Sequence, residues 1–564
     1  MAAKVGRDGP NRCLRIVSPR IRAINMLSTV AQPIVSKVPE AGPSTDDARA
    51  QTDLALLGSL PELLTSGGDD RLRLAVGEVI NNYGCAPLPL PKVDEFASST
   101  ATTISDRAYS SVERARIQML RQAAISGFEE SFDARIEEMR QELRTLLGVD
   151  QCEPDIIFAP SGTDSALHAT LLASHLMEAP LVNILMAPDE TGSGVPYASI
   201  GQHFSGRTAL GVEVEKGRAV KGFPSHLQYV GFSARGPDGT PVPTEIVDRT
   251  VIELVVKAVS GGAHVLLHAM DCSRTGVSGP SLGCLDFIVS QWPESVQVVV
   301  DACQMRLSRG RLRSYLARRF MVMITGSKFF TGPPFSGALL VPRRISDALA
   351  DLNDVPPGLL AYTGRASWPR NCPGVRAGLT AQPNFGEWLR WEAALEEMRA
   401  YFAVPSWFRT ESLKKFENGL RTYMSQTKGI RLIETNGPTD DDDWAGQGIQ
   451  SLFPFVLERS GRALSFDESV RIYQALNDDI RGAASGSFAD RSRLGRACHF
   501  GQPVGLTVED GLKTGVLRAS ASARMISEAW GPGDRQRSED RLRRELNRAG
   551  EALERIAFLA TRGS

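Results

Sequence analysis

Short apolar runs alternate with amphipathic segments through the middle of the chain. The runs cover residues 155–159, 181–187, 264–269, 296–300, 320–324 and 338–341. Apolar runs of this length that alternate with helical segments predict parallel strands joined by helices. The pattern therefore predicts an α/β fold of three layers, in which a mostly parallel central sheet is covered by helices.

Apolar residues at three- and four-residue steps predict the helices. The clearest helical segments are residues 111–147, 165–177, 385–402 and 534–562. Residues 216–243 are rich in glycine, proline and polar residues, which predicts an insertion between elements of the sheet. Residues 440–443 are all aspartate and predict a solvated loop tip.

These patterns divide the chain into three predicted parts. Residues 1–75 are predicted to be an N-terminal extension, which we expect to be mobile because its first part is basic and residues 32–47 are rich in proline, serine and alanine. A targeting segment is the alternative for this part. Residues 76–364 are predicted to form a large domain, and residues 365–564 a smaller C-terminal α+β domain.

Composition removes several classes of function. The 564 residues carry a formal net charge of −1, which argues against a general nucleic-acid binder, and no apolar run reaches the length of a membrane span. The cysteines form no CxxC pair and the histidines no HExxH-type pair, so we expect no metal site and a reducing, cytoplasmic location. Lysine is rare, with 11 residues, so a lysine at a required position is informative.

Two candidate groups follow the ends of predicted strands. Ser161-Gly162-Thr163-Asp164 lies where a strand ends and a helix begins, and the unpaired N–H groups of such a turn hold phosphate well. The alternative for this turn is an ordinary helix cap without a ligand. Asp301 ends a buried strand, with Gln304 close behind, and a buried acid needs a cationic partner such as a protonated heterocyclic nitrogen. The alternative for Asp301 is a cap of the next segment.

A third candidate is Lys328, in the segment Thr325-Gly326-Ser327-Lys328 after another apolar run. A lysine held near an apolar surface can lose its proton and attack a carbonyl, whereas the alternative is a solvated loop lysine. A phosphate cradle, a strand-end aspartate and a lysine are together the residues that bind pyridoxal 5′-phosphate (PLP). The three groups therefore predict a PLP site more strongly than any of them does alone.

The motifs resemble those of the fold-type I PLP enzymes and, within them, the class V aminotransferase group. That group includes cysteine desulfurases, selenocysteine lyases, kynureninases and phosphoserine aminotransferases. Asp301-Ala302-Cys303-Gln304 resembles the group's Asp-x-x-Gln, and Thr325-Gly326-Ser327-Lys328 resembles its Schiff-base segment. Val516-Leu517-Arg518-Ala519-Ser520 resembles its Leu-Arg-x-Ser segment, and Asn82-Tyr83-Gly84 its N-terminal substrate loop.

The resemblance implies a role for each matching residue. Lys328 would form the internal aldimine and shuttle the proton at Cα, Asp301 would pair with the pyridinium, and Gln304 would contact the ring hydroxyl. Arg518 would bind the substrate carboxylate, and Asn82 would cover the substrate. The phosphate would be held by the turn and by the hydroxyls before the lysine, namely Gly162, Thr163, Asp164, Thr325 and Ser327.

Three elements of the chain depart from the group's pattern. The group has Glu-His where this chain has Glu190-Thr191, and His203 is the nearest candidate to stack on the ring. The desulfurase cysteine loop is one residue shorter here, which leaves Cys498 as the nearest thiol. Thr380-Ala381-Gln382-Pro383-Asn384 resembles the Gly-Thr-Pro-Asn element that completes the neighbouring subunit's phosphate site, with Gln382 in place of threonine.

The sequence therefore predicts a homodimeric PLP enzyme that acts on an amino acid, with no nucleic-acid or membrane partner. Aminotransfer is the first choice of reaction. The alternatives are a PLP-dependent β-lyase of the selenocysteine lyase, desulfurase or kynureninase type, and a PLP-binding scaffold without turnover. Motifs alone do not give the substrate, because side-chain placement decides which bond at Cα lies perpendicular to the ring.

Overall fold

The computed structural model describes most of the chain beyond residue 55. The described residues are 56, 58–74, 78–90, 93–177, 180–187, 189–236, 238–350, 352–437, 449–476, 497–507 and 513–562. The chain divides into the units Met1–Arg49 and Ala50–Ser564, and every described residue belongs to the second unit. The predicted loop tip at 440–443 and residues 1–55 of the predicted extension lie outside the described residues.

The described residues include fifteen α-helices. In chain order, the helices α1 to α15 are Leu60–Leu64, Asp106–Ser126, Phe128–Leu147, Gly162–Leu176, Val195–Ala198, Thr244–Ser260, Leu282–Gln291, Arg309–Ala317, Arg343–Ala348, Pro373–Gly378, Phe385–Phe402, Ser406–Gln426, Phe466–Ala475, Ala523–Ala529 and Arg535–Arg562. Short 3₁₀ turns lie at Asp150–Cys152, Pro357–Ala361 and Arg365–Ser367.

The strands form two sheets. In chain order, the strands β1 to β13 are Asp94–Phe96, Asp155–Ala159, Leu181–Met186, Gln228–Phe232, His264–Met270, Val296–Asp301, Met321–Thr325, Gly337–Val341, Ile430–Leu432, Leu452–Arg459, Arg462–Ala463, Cys498–Thr507 and Lys513–Ser520. Within the described residues, the central sheet has the strand order β2-β8-β7-β6-β5-β3-β4. Strand β8 pairs antiparallel with β2 and β7, and the other pairs are parallel.

Both faces of the central sheet are buried, which explains why its strands are continuous apolar runs. Ile156 and Phe158 of β2 pack into one core cluster, and Ile157 between them packs into the other. Alternate side chains of a strand point to opposite faces, so a strand covered on both sides needs apolar residues at every position. The predicted three-layer α/β fold with a mostly parallel sheet is confirmed.

The second sheet is mostly antiparallel and lies largely in the C-terminal part of the chain. Its order is β1-β12-β13-β10-β11, and β9 also pairs with β10. Strand β1, which comes from the predicted large domain, pairs in parallel with β12. The C-terminal α+β architecture is confirmed, whereas the predicted domain boundaries stay a prediction.

The hydrophobic core includes residues that we predicted to belong to the mobile N-terminal extension. Helix α1 lies within residues 1–75, and its residues Leu60, Leu63 and Leu64 are buried in the core. The guanidinium of Arg390 donates hydrogen bonds to the carbonyls of Leu64, at 3.1 Å, and Gly67, at 2.7 Å. The segment that contains α1 is therefore held against α11 by the buried leucines of α1 and by the hydrogen bonds of Arg390.

Two element predictions were wrong. The predicted helix 111–147 is two helices, α2 and α3, which are separated at Gly127 with φ +81°. Glycine adopts this left-handed region without steric cost, so the chain turns there. The predicted insertion at 216–243 contains β4, which pairs in parallel with β3 at the sheet edge. Its Tyr229 and Val230 are exposed, so this strand lacks the buried pattern that identifies the others.

A search of the described helices for a membrane span gave a negative result. None of them combines the length with the apolar character needed to cross a bilayer.

Candidate active site

The ends of three neighbouring strands and the start of one helix open into a single cavity. Its volume is about 370 Å³, and it lies beyond the carboxyl ends of the parallel strands β5, β6 and β7. Ligands of open α/β sheets bind at this edge. The predicted site residues that line the cavity are Asn82, Gly162, Thr163, Asp301, Thr325, Ser327, Lys328 and Arg518. Asp164 and Gln304 do not line it.

Helix α4 begins at the cavity, at Gly162. The first intrahelical bond runs from the Ser165 N–H to the Ser161 carbonyl at 3.0 Å, so the N–H groups of Gly162 and Thr163 precede the helical ladder. A Cβ on Gly162 would lie 2.6 Å from the Sγ of Cys303. Glycine is therefore required for the turn to approach the neighbouring loop closely, and the free N–H groups there can bind an anion.

Asp164 lies in the first turn of this helix and is hydrogen-bonded to the N-cap residue, Ser161. Its carboxylate accepts a hydrogen bond from the Ser161 hydroxyl, and the Ser161 Oγ accepts one from the Asp164 N–H at 3.3 Å. Burial raises the pKa of Asp164 to about 7, and the negative charge of Asp69 adds to this effect. Asp164 therefore supports the turn, and its contact with a cofactor stays a prediction.

Asp301 and Lys328 face the same cavity from adjacent strands. Asp301 ends β6, and its Oδ1 accepts a hydrogen bond from the Cys303 N–H at 3.1 Å. Lys328 follows β7, and among the described residues its Nζ makes no hydrogen bond and no ion pair. The lysine is thus available for bond formation, and the carboxylate is available for a cationic group of a ligand.

The remaining predicted contact residues differ in whether their polar groups already have hydrogen-bond partners inside the protein. The Thr325 hydroxyl donates to the Cys303 carbonyl at 2.7 Å, so its proton is already used inside the protein. Gln304 is buried and does not line the cavity. Its Nε2 donates to the Ser99 carbonyl at 3.0 Å. Its expected contact with a ring hydroxyl stays a prediction. Ser327 lines the cavity directly.

Arg518 is buried, with 2% of its surface exposed, yet it lines the cavity. Its Nη2 donates to the Thr100 hydroxyl at 2.7 Å, and its Nη1 donates to the Gln502 carbonyl. Its Nε is buried and has no hydrogen-bond partner. A guanidinium has five N–H donors, so this arrangement leaves donors for a carboxylate. Burial, reinforced by the positive charge of Arg274, lowers the pKa of Arg518 to about 9.

A β-bulge brings the neighbouring strand to the cavity. The register of β12 against β13 shifts between Gly501 and Val504, and the intervening Gln502 and Pro503 line the cavity. The Gln502 side chain donates to the Asn82 carbonyl, which ties the predicted substrate loop to this wall. Bulges re-aim side chains in this way beside active sites.

Cys498 lies at the start of the same strand, away from the cavity. It pairs with Asp94 and is 1% exposed, and burial raises its pKa to about 12. It belongs to the hydrophobic core and cannot serve as a reactive thiol there. Of the described cysteines, only Cys303 lines the cavity. Burial, together with the Asp301 carboxylate, raises the pKa of Cys303 well above its usual range.

The structure places His203 outside the cavity. Its Nδ1 lies 2.6 Å from the Tyr362 hydroxyl, and the two rings stack with centroids 5.8 Å apart. Glu190 is also buried in a polar cluster, where it accepts from Arg235 at 2.7 Å and from the Thr275 hydroxyl at 2.6 Å. His203 and Glu190 do not line the cavity, whereas Gly192 and Ser193 of the neighbouring segment do.

Sequence reasoning missed several lining residues. Arg71 forms an ion pair with Asp69 at 2.5 Å, and its guanidinium lies 5.1 Å from the Phe335 ring centroid. Phe335 itself has φ +71°, a strained backbone conformation for a bulky residue, and such strain is concentrated at functional sites. No periodicity or motif marks Arg71, because only the fold brings residues 71 and 335 together.

Comparisons with known proteins gave structural likenesses only. No family model matches the chain, and no curated protein matches its sequence. A C-DES mutant with glycine covalently linked to the PLP cofactor is 14% identical over 81% of this chain and 97% of that chain, with a TM-score of 0.47.

Two further solved structures have a similar degree of likeness. The Escherichia coli cysteine desulfurase CsdA is 14% identical over 81% of this chain and 94% of its own, with a TM-score of 0.44. The Catharanthus roseus tryptophan decarboxylase is 12% identical over 82% and 83%, with a TM-score of 0.48.

Proposed function

We propose that this chain is a PLP-dependent enzyme that acts on an amino acid. The observation that carries the proposal is the meeting of Lys328, Asp301 and the N-terminus of α4 in one cavity. They come from separate strand ends, and each supplies a different group that PLP requires: an amine, a carboxylate for the ring nitrogen and a phosphate cradle.

The residues present fit this cofactor. Lys328 has no partner among the described residues, and the N–H groups of Gly162 and Thr163 precede the helical ladder. Arg518 keeps a buried Nε without an acceptor, which an amino-acid carboxylate would satisfy. A scaffold that binds PLP without turnover needs no group for a substrate carboxylate, so the unpartnered Nε of Arg518 favours an enzyme.

The reaction follows from the roles of these side chains. Bound PLP supplies an electron sink that stabilises negative charge at Cα of the amino acid. Lys328 holds the cofactor through Nζ and then moves the proton at Cα as a general base and acid. Asp301 keeps the ring nitrogen protonated by pairing with its positive charge. Arg518 orients the carboxylate, and this orientation selects the bond that breaks.

We propose aminotransfer as the reaction. A desulfurase passes sulfur to an enzyme thiolate, and thiolate formation needs a lowered pKa. Cys303 is the described cysteine that lines the cavity, and its pKa is raised by burial and by Asp301. A β-lyase that uses no enzyme thiol is the alternative. We further propose that the enzyme is a cytoplasmic homodimer.

The test is to incubate the purified protein with PLP and with amino acids one at a time. Aminotransfer predicts pyridoxamine phosphate and a 2-oxo acid, whereas a β-lyase releases sulfide, alanine or ammonia. Lys328→Ala should lose both the visible absorption band of the lysine-bound cofactor and all turnover. If the variant keeps the band and the activity of the wild type, the proposed function is wrong.

A further inference from the structure

The lining of the cavity includes an arginine to which the proposed reaction gives no role. Its lining includes Arg71, Arg274, Lys328 and Arg518, against the single carboxylate of Asp301. Lys328 is assigned to the cofactor and Arg518 to the substrate carboxylate. The positive charge of Arg71 is balanced inside the protein, because Asp69 lies 2.5 Å from it. Arg274 is therefore the guanidinium without an assigned counter-charge.

Arg274 is not neutralised by its own surroundings. Among the described residues its side chain donates no hydrogen bond and makes no ion pair, and its Nε is buried without a partner. The carboxylates of Glu190 and Asp189 act on Arg274 from beyond ion-pair distance. Both oxygens of Glu190 already accept hydrogen bonds from Arg235, Ser273 and Thr275, at 2.6–2.7 Å. A buried donor without an acceptor is costly, so we expect an anionic ligand in the cavity to complete the hydrogen bonds of Arg274.

Hydrogen bonds fix the backbone of the loop that follows β5 and contains Arg274. The Arg274 N–H donates to the Glu190 carbonyl at 3.1 Å, and the Ser273 N–H donates to the Val277 carbonyl at 2.8 Å. The Thr275 N–H and hydroxyl both donate to the Glu190 carboxylate. The backbone of Arg274 is therefore held in a hydrogen-bonded turn, which reduces the entropy lost when a ligand binds.

Arg274 lines the same cavity as Arg518 and Arg71, and it is close enough to both for their charges to interact with its own. Its positive charge acts on Arg518, whose pKa is lowered first by burial and then by Arg274. The charges that act on Asp164, in the first turn of α4, are those of Asp69 and Arg71. Two guanidiniums of the same charge are thus held near each other at the place where the substrate carboxylate is expected.

We propose that Arg274 binds a second anionic group on the substrate, so that the enzyme acts on an acidic amino acid such as a dicarboxylic one. This inference rests on the proposed function, because it assigns a substrate class to the same site. Arg518 holds the α-carboxylate and Arg274 holds the side-chain anion. Together the two guanidiniums bind a dianion and balance both charges.

The experiment measures binding of acids that have no amino group, so it needs no reaction. Succinate and glutarate are compared with butyrate and valerate, which have the same numbers of carbons and one carboxylate fewer, by titration calorimetry on the PLP-loaded protein. A charge-assisted contact predicts that a dicarboxylate binds about tenfold or more tightly than its matched monocarboxylate. Arg274→Gln should abolish this preference, and Arg274→Lys should keep part of it.

Arg218→Gln is the matched control, because Arg218 is an exposed arginine paired with Glu215 outside the cavity. It should leave the preference unchanged. The inference is overturned if neither dicarboxylate is preferred by the wild type, or if Arg274→Gln keeps the wild-type preference. The comparison of dicarboxylates with monocarboxylates on the wild-type protein tests the inference even if a variant fails to fold. The visible band of the same sample reports separately whether PLP is bound to the protein, so failure of the proposed function is recognised independently.

Discussion

At the scale of single residues, burial determines how each charged group of the cavity can act. Arg518 and Arg274 are held in surroundings that disfavour their charged forms, and burial lowers the pKa of both. An anionic ligand stabilises the charged form of each, so ligand binding and the charge state of the arginines are coupled. The same surroundings keep the Cys303 thiol protonated beside the Asp301 carboxylate.

Asp301→Asn tests the assignment of the carboxylate that faces the cofactor ring. The amide keeps the shape but carries no charge, so it cannot stabilise a protonated ring nitrogen. The loss of one charge-assisted hydrogen bond predicts that kcat falls about 10- to 100-fold while PLP still binds. Steady-state kinetics together with the bound PLP content measure both effects.

Asp286→Asn removes an exposed carboxylate that is paired with Arg318, and it serves as the control for this change. Its kcat should stay at the wild-type value. Equal kcat values for Asp301→Asn and the wild type would contradict the role given to Asp301.

At the scale of elements, local pattern predicted much of what positions the site. The strands that precede the Asp301 and Lys328 loops lie within one residue of their predicted bounds, because a doubly buried strand needs an unbroken apolar run. Helix α4 begins at Gly162, three residues before its predicted start. Strand β4 lacks that run and was missed. The bulge at Gln502 and Pro503 was missed too, because it depends on the register of a partner strand.

Gly162→Ala tests the start of helix α4. The added Cβ would lie 2.6 Å from the Cys303 Sγ, so the turn must shift away from the neighbouring loop. Overpacking of this kind costs about 1–3 kcal/mol, which predicts that PLP binds about tenfold less tightly or weaker still. Titration of the cofactor-free protein with PLP measures this change.

Cys303→Ala offers a rescue for this variant. The Cys303 Cβ lies 3.7 Å from the added atom, an ordinary contact, so the double variant should recover most of the affinity. Gly283→Ala is the matched control, because this glycine lies in the first turn of α7 and a Cβ there has its nearest neighbour at 3.9 Å. A double variant as weak as Gly162→Ala alone would show that the proposed clash is not the cause.

At the scale of the whole molecule, the sequence predicts the class of fold but not how its distant parts meet. The central sheet follows from local patterns, and the resemblance locates Arg518 in the chain. The pairing of β1 with β12 joins residues about 400 positions apart in the chain, so no local pattern contains it. For the same reason the contact of Arg71 with Phe335, and the action of Arg274 on Arg518, required the structure.

Assembly is the prediction at this scale. The element at 380–384 resembles one that completes a neighbouring subunit's phosphate site, and in this structure it does not line the chain's own cavity. We therefore expect sedimentation equilibrium to give twice the chain mass of 61.2 kDa. A sample that sediments at the mass of one chain while it holds PLP would contradict the homodimer.

The account depends most on the bond between Lys328 and PLP. Borohydride reduction of the PLP-loaded protein makes such a lysine linkage permanent, and peptide mass spectrometry then locates it among the 11 lysines of the chain. The account predicts that the mass of the reduced cofactor is found on the peptide that contains Lys328, and that it is absent from Lys328→Ala. Cofactor mass on a different lysine, or no covalent cofactor in the wild-type protein, would contradict it.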